Sequence, residues 1–185
     1  MGKTTGQLFT LQVDPLASNQ ALENIRVCLF RNVKNADDLR KQLHSKEIDC
    51  ALIRAELIAE LFQLLTAANR AIGCMLNKKM STHTIHTEIV YALSPTRNIT
   101  ESLRTFGISD STGDILVVIH DDRKSAKMND IVKRIDGRVV PLDQLKNIAD
   151  YDRIKKVYHV DEPELNAMTI DDAIVTRIVA KDFVA

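Results

Sequence analysis

The chain has 185 residues, of which 25 are basic and 25 are acidic, with no tryptophan and 4% aromatic residues. This length suffices for one well-packed domain, and the balanced charge excludes a globally basic nucleic-acid binder while leaving a local basic patch open. Because aromatic side chains are scarce, we expect no wide platform for stacking bases.

The first half of the chain contains two predicted strands and two predicted helices. Alternating apolar residues predict strands at 8–13 and 24–30. Residues 35–45 are typical of a short helix with Asn35 as its N-cap. Residues 55–76 carry the strongest helical periodicity of the chain, because their leucines and isoleucines recur at a spacing of three to four residues.

Residues 84–93 have an ambiguous pattern. The segment TIHTEIVYAL is rich in β-branched residues, and its odd-numbered positions from Ile85 to Leu93 would share one side of a strand. We therefore predict a strand here, followed by a turn at 94–98.

The second half contains one predicted strand among helices. DILVVIH, residues 114–120, is typical of a buried strand. Helices are predicted on either side of it, at 99–107, 127–135, 141–148, 151–159 and 169–183, the last one capped by Thr169. Since strands and helices are interspersed, the sequence predicts a single α/β domain over residues 1–185, with a central mixed β-sheet flanked by helices.

The cysteines and the apolar segments indicate an intracellular location. Cys28, Cys50 and Cys74 are far apart and lie among apolar neighbours, so we expect free thiols in a reducing compartment. The longest apolar window, residues 56–76, contains charged residues and is too polar for a lipid-facing helix. We expect a soluble protein of the cytosol or nucleus.

The segment HTIHTE, residues 83–88, raises the question of a metal site. In a strand, His86 and Glu88 share one face while His83 points to the other, and in a helix Glu88 turns away from His83. Neither geometry assembles three ligands. We therefore expect no metal and no cofactor, and polar residues on a half-exposed strand in which His86 and Glu88 could pair.

Recognisable catalytic motifs are missing from the sequence. It has no GxSxG, HExxH or GxGxxG segment and no kinase signature. The segment HDD at 120–122 could place carboxylates at the end of a strand, but a solvated turn is the favoured interpretation. We expect a protein that is not an enzyme.

The last predicted helix is a candidate docking surface. Its apolar spacing gives one stripe, with Val175, Val179 and Phe183 as a second apolar flank. The candidate partner-binding residues are those of the stripe: Ile170, Ala173, Ile174, Arg177 and Ile178. The alternative is that both flanks fill the core, which the sequence alone slightly favours.

A second candidate surface is polar. Arginine and lysine can hold phosphates, and asparagine can bind base edges or sugars. The family resemblance described below implies RNA binding for this surface, and the candidate RNA-binding residues are Asn69, Arg70, Lys78, Lys79, Arg97 and Asn98. The alternative is solvated surface charge together with an asparagine that caps a turn.

Several stretches together resemble the TPRKB family, whose members include fungal and archaeal subunits of the KEOPS (EKC) complex. The similar segments span nearly the whole chain: 29–40, 51–58, 62–72, 87–109, 114–120 and 172–182. The histidines of HTIHTE lie outside these similar segments.

The resemblance implies a non-catalytic subunit that binds the PRPK-type kinase/ATPase of the complex. The complex makes threonylcarbamoyladenosine in tRNA and is linked to telomere maintenance and transcription. In archaeal relatives the subunit also helps recruit tRNA by its 3′ CCA end. The last helix of this chain matches the kinase-docking region, so the resemblance makes docking the favoured interpretation of its stripe. The expected location is nucleus and cytoplasm. The alternatives are a pure protein adaptor without nucleic-acid contact and, outside this family, a small-ligand regulatory α/β domain or an unrecognised enzyme.

Overall fold

A five-stranded antiparallel sheet forms the centre of the computed structural model, which describes residues 5–13 and 22–183. Its strands run in the order β1-β2-β4-β3, and β5 pairs with the end of β2. The strands are β1 (Gln7–Gln12), β2 (Leu22–Arg31), β3 (Ala51–Arg54), β4 (Ile115–His120) and β5 (Arg138–Val140).

The strand pairs between described residues are all antiparallel, where a mixed sheet was expected. β2 and β3 do run in the same direction, since each is antiparallel to β4. They are not neighbours, however, because β4 lies between them. The predicted α/β class with a central sheet and flanking helices is confirmed, and only the pairing direction is corrected.

Eight helices surround the sheet in the described part of the chain. They are α1 (Ala36–His44), α2 (Leu61–Leu76), α3 (Ile85–Leu93), α4 (Ile99–Phe106), α5 (Ala126–Arg134), α6 (Tyr151–Tyr158), α7 (Glu162–Leu165) and α8 (Ile170–Ala180). Two 3₁₀ helices, Ala55–Leu57 and Leu142–Asn147, complete the structure. Among the helices described, none is long and apolar enough to span a bilayer.

The sheet separates two hydrophobic cores, because alternate residues of each strand point to opposite faces. In β2, Val27 and Leu29 join the larger core, which also takes residues of α2, α3, α6 and α8. Cys28 and Phe30 join the smaller core with α1 and α5. The architecture is therefore a sheet with helices on both faces.

Most of the predicted elements are confirmed, with corrections to some boundaries and to one helix type. The last helix, predicted over 169–183, ends at Ala180. The helix predicted over residues 55–76 is shorter, because a 3₁₀ helix occupies 55–57 and α2 begins at Leu61. The segment predicted as a helix over 141–148 is a 3₁₀ helix. Strands β3 and β5 and the short α7 had not been predicted.

The strand predicted over residues 84–93 is wrong, because this segment forms α3. Thr84 caps the helix, since its Oγ1 accepts a hydrogen bond of 3.1 Å from the Thr87 amide. Ile89 and Leu93, four residues apart, are both fully buried in the larger core. Burial on several sides of α3 outweighs the weak helix propensity of its β-branched residues.

Candidate partner-binding surfaces

His86, the second histidine of HTIHTE, is a buried structural residue. Its Nδ1 lies 2.6 Å from Oδ1 of Asp49, and its Nε2 accepts a 3.1 Å hydrogen bond from the backbone amide of His120. Because Nε2 is an acceptor, the ring proton belongs on Nδ1, where it is donated to Asp49. Burial lowers the pKa of His86, which favours the neutral ring.

Glu88 does not pair with His86. Its carboxylate accepts hydrogen bonds of 2.8 Å from the Thr82 amide and 2.7 Å from the Thr82 hydroxyl, which fixes the loop before α3. The half-exposed strand expected around HTIHTE is therefore replaced by a helix in which both side chains are buried. Within residues 5–13 and 22–183, no three His, Cys, Asp or Glu side chains are grouped to hold a metal ion.

The carboxylate of Asp122, in the HDD segment, is buried rather than solvated. It accepts hydrogen bonds from the backbone amides of Lys127 (3.2 Å) and Met128 (2.9 Å) and thereby caps α5. The guanidinium of Arg26 donates to the carbonyl oxygen of Asp122 at 2.8 Å. The favoured interpretation as a solvated turn fails for Asp122, whose role is to join β2 to the start of α5.

The predicted docking stripe of α8 faces the interior of the protein. Ala173, Ile174 and Ile178 are completely inaccessible to solvent and belong to the larger core, and Ile170 packs against it. Arg177 binds Glu164 through two hydrogen bonds of 2.6 and 2.7 Å. These five residues therefore do not form an outward surface, because this side of α8 packs against α2 and α6.

The second apolar flank of α8 faces outward instead. Val175 is partly buried, Val179 is 53% exposed, and Phe183, just beyond the helix, is 88% exposed. These residues are spaced four apart and lie along one side of the helix. We call Val175, Val179 and Phe183 the outer stripe.

The carboxyl end of α8 is fixed by a cluster of polar contacts. Lys181 is buried, and its Nζ donates a 2.6 Å hydrogen bond to the Tyr91 carbonyl and lies 3.2 Å from the centre of the Tyr91 ring. Arg97 donates to the carbonyl oxygens of Lys181 and Asp182 at 3.2 and 2.6 Å. Arg70 forms an ion pair with the Asp182 carboxylate. We call Arg70, Tyr91, Arg97, Lys181 and Asp182 the α8 anchor.

Burial changes the protonation of Lys181. Removal from water lowers the pKa of its ammonium group to about 7, and the positive charge of Arg70 acts in the same direction. The carboxylates of Asp182 and Glu88 oppose this shift. The sequence placed Lys181 only at the end of a helix, and no local pattern indicated its contact with Tyr91.

The predicted RNA-binding residues are divided between two kinds of position. Arg70 and Arg97 meet in the α8 anchor, and the Asn98 side chain caps α4 by accepting a 3.1 Å hydrogen bond from the Glu101 amide. Asn69 is partly buried on α2, whereas Lys78 and Lys79 are exposed just beyond this helix. The structure therefore brings the two arginines together but gives them contacts within the chain.

Comparison with known proteins identifies the family. A family model described as "Kinase binding protein CGI-121" matches residues 30–182, a span that runs from the end of β2 through Asp182 of the α8 anchor. The chain belongs to the CGI-121 family. This match confirms the resemblance inferred from the sequence.

Relatives of this CGI-121 family member come from animals and fungi. EKC/KEOPS complex subunit TPRKB of Danio rerio is 38% identical over 155 residues, which cover 83% of this chain and 89% of the relative. EKC/KEOPS complex subunit cgi121 of Aspergillus terreus is 38% identical over 142 residues, covering 72% of this chain and 73% of the relative. EKC/KEOPS complex subunit CGI121 of Kluyveromyces lactis is 34% identical over 135 residues, 72% of this chain and 85% of the relative.

Proposed function

We propose that this chain is a non-catalytic subunit of an EKC/KEOPS complex and that it docks on the PRPK-type kinase/ATPase subunit through the outer stripe of α8. The observation that carries the proposal is the exposure of Val179 on α8 and of Phe183 just beyond it, while the opposite side of α8 lies in the core. The family description, a kinase-binding protein, supports a protein partner. Exposed apolar side chains grouped on one helix side are typical of a docking surface.

The outer stripe is held in place before any partner binds. Three buried residues of α8 pack in the larger core, and the α8 anchor fixes the carboxyl end of the helix. A rigid helix loses little conformational entropy on association. Burying a valine or phenylalanine side chain contributes about 1.5–3 kcal/mol, so these side chains could supply much of the docking energy.

Charge substitutions in the outer stripe test this proposal. We expect Val179→Asp and Phe183→Asp each to weaken binding of the purified kinase subunit by at least about tenfold, because each places a carboxylate in an apolar interface. The melting temperature should stay within a few degrees of that of the unmodified protein, since both side chains are exposed. The measurement is titration calorimetry or surface plasmon resonance, with thermal denaturation in parallel.

Val139→Asp is the matched control, because Val139 is 44% exposed on β5 and lies outside α8. This variant should bind the kinase subunit with unchanged affinity. If the two outer-stripe variants stay folded and bind the kinase subunit as tightly as the control does, the outer stripe is not the docking surface.

We further propose that the chain supports tRNA threonylcarbamoyladenosine modification by helping to recruit tRNA through its 3′ CCA end. The support is the pair of exposed lysines, Lys78 and Lys79, which lie beyond the same helix that carries Arg70. Lysines at a surface attract phosphates without reading sequence. The neutral net charge implies weak, salt-dependent binding by the isolated chain.

A tRNA titration by gel shift at low and high salt tests this second step. We expect Lys78→Glu combined with Lys79→Glu to weaken binding by about tenfold at low salt, and removal of CCA from the tRNA to have a similar effect. Lys124→Glu combined with Lys133→Glu is the control, because these exposed lysines lie just before and within α5. This tRNA site would be excluded if the affinity for tRNA did not change with salt concentration, with removal of CCA or with the Lys78 and Lys79 substitutions.

A pure adaptor without nucleic-acid contact is the second candidate function. The observation in its favour is that Arg70 and Arg97 are bonded to Asp182 and to backbone carbonyls of the α8 anchor. A pure adaptor would lose kinase binding in the outer-stripe variants and would show no CCA-dependent binding of tRNA. For either function we propose a location in the nucleus and cytoplasm.

A further inference from the structure

A groove of about 610 Å³ follows the edge of the sheet at β3. One wall comes from α1 and the other from α3 and α4, while β3 and residues 107–109 form its base. This volume falls within the range of about 300–1,000 Å³ that is usual for binding sites. The residues that line the groove include none from α8 and none of the six candidate RNA-binding residues.

The groove has an aliphatic floor and a basic rim. Its floor contains Leu43, Leu52, Val90, Leu103 and Ile108, and its rim contains Arg40, His44, Arg54 and Arg104. His86 also lines the groove, but as the buried ring bonded to Asp49 that is described above. None of the lining residues is an aspartate or a glutamate, although the whole chain has as many acidic as basic residues. Two exposed carboxylates adjoin the lining, since Asp110 pairs with Arg40 and Asp49 with His86. The charge of the groove is therefore complementary to an anionic partner.

The groove also borders the outer edge of β3. The Ala55 amide donates a 3.1 Å hydrogen bond to the Asp114 carbonyl, so by alternation the backbone groups of Leu52 and Arg54 point away from β4. An antiparallel bridge between Ile53 and Gly107 covers part of this edge, because such a bridge uses the outward backbone groups of the flanking residues Leu52 and Arg54. The groove borders the remaining part of the edge, at Cys50 and Ala51.

We propose that this groove binds an acidic peptide segment of a partner protein, extended along β3, with an aliphatic side chain on the floor and carboxylates at the arginines. Edge strands commonly bind extended peptides through main-chain hydrogen bonds, with alternate side chains giving specificity. Arginine binds carboxylates with two parallel hydrogen bonds. A single-stranded nucleic acid fits less well, because the lining contains no phenylalanine, tyrosine or tryptophan on which successive bases could stack.

Amide chemical-shift titrations of the ¹⁵N-labelled full chain test the proposal. The probe is a blocked hexapeptide, Asp-Glu-Leu-Asp-Ile-Glu, compared with the peptide that has lysine at each acidic position and with the trinucleotide CCA. We expect the acidic peptide to shift amides of β3 and α4 with a dissociation constant of about 1 mM or below. The lysine peptide and the trinucleotide should leave these amides unchanged.

Arg104→Glu is the decisive variant, because the Arg104 side chain is exposed. The hydrogen bond that Arg54 donates to residue 104 goes to the backbone carbonyl, which the substitution keeps. This substitution should weaken binding of the acidic peptide by at least about tenfold. Lys133→Glu on α5 makes the same change of charge and should leave the affinity unchanged. The proposal would be overturned if the lysine peptide shifted the β3 and α4 amides equally, or if CCA shifted them. It would also be overturned if the acidic peptide at millimolar concentration left these amides unshifted. The kinase and tRNA proposals depend on other residues, so this experiment tests neither of them.

Discussion

The hydroxyl of Tyr158 joins three helices inside the larger core. It donates a 2.5 Å hydrogen bond to the Leu93 carbonyl at the end of α3 and accepts a 2.9 Å hydrogen bond from Nε2 of Gln63 on α2. Its ring meets that of Phe106 edge to face, with centroids 5.9 Å apart. Burial raises the pKa of Tyr158, so the hydroxyl stays protonated and remains a donor.

We expect Tyr158→Phe to lower the free energy of unfolding by about 1–3 kcal/mol, because it leaves the Leu93 carbonyl and a Gln63 amide proton buried with fewer partners. Tyr151→Phe is the matched control and should change stability by less than about 0.5 kcal/mol, since Tyr151 is 39% exposed. Urea denaturation of both variants measures the difference. Equal stability of the two variants would show that the buried hydroxyl contributes nothing.

Contacts between residues close in the chain could be predicted, whereas distant ones could not. Thr169 caps α8 as expected, with its Oγ1 accepting a 3.2 Å hydrogen bond from the Asp172 amide. Such a cap depends on residues three apart, and the sequence displays them. The bond from Lys181 to Tyr91 joins residues 90 positions apart, so only the folded chain brings them together.

At the scale of elements, the helical spacing of apolar residues could be predicted from the sequence, but the side of the helix that is buried could not. The spacing in α8 correctly separates two apolar flanks, yet either of them could have faced the core. The structure buries Ile174 and Ile178 and exposes Val179. Neighbouring helices α2 and α6 decide the orientation, and their position depends on the whole fold.

Two segments, residues 51–54 and 85–93, show that the type of an element can also be mispredicted from local sequence. α3 was mistaken for a strand because its β-branched residues also fit a period of two. β3 was missed because only four residues, Ala51–Arg54, form it before the 3₁₀ helix. In both cases packing in the tertiary structure overrides a weak local preference.

At the scale of the whole molecule, the two proposed protein-binding surfaces belong to different parts of the structure. The outer stripe belongs to α8, which packs on α2 and α6, whereas the groove belongs to the β3 edge of the sheet and to α1, α3 and α4. Since they share no residue, the two proposals can be tested by separate substitutions. The α8 anchor connects the stripe to the turn at 94–98 through Arg97.

The stability of the whole domain should rise with pH between about 7 and 8.5 because of Lys181. Its pKa in the folded protein is lowered to about 7 from a reference value of 10.5, so the unfolded chain binds more protons in this window. The free energy of unfolding then increases with pH, by at most about 1.4 kcal/mol per pH unit for one group. Below pH 7 both states are protonated at this position and the slope from Lys181 vanishes.

Lys181→Met should remove this slope, because it keeps the length of the side chain and eliminates the titrating group. The charged groups around Lys181, namely Arg70, Glu88 and Asp182, remain in the variant. Lys156→Met is the control, since Lys156 is exposed on α6 and should leave the slope intact. Urea denaturation at half-unit steps from pH 6.5 to 8.5 measures the slope, and identical slopes in the two variants would mean that Lys181 titrates in the folded protein as it does in water.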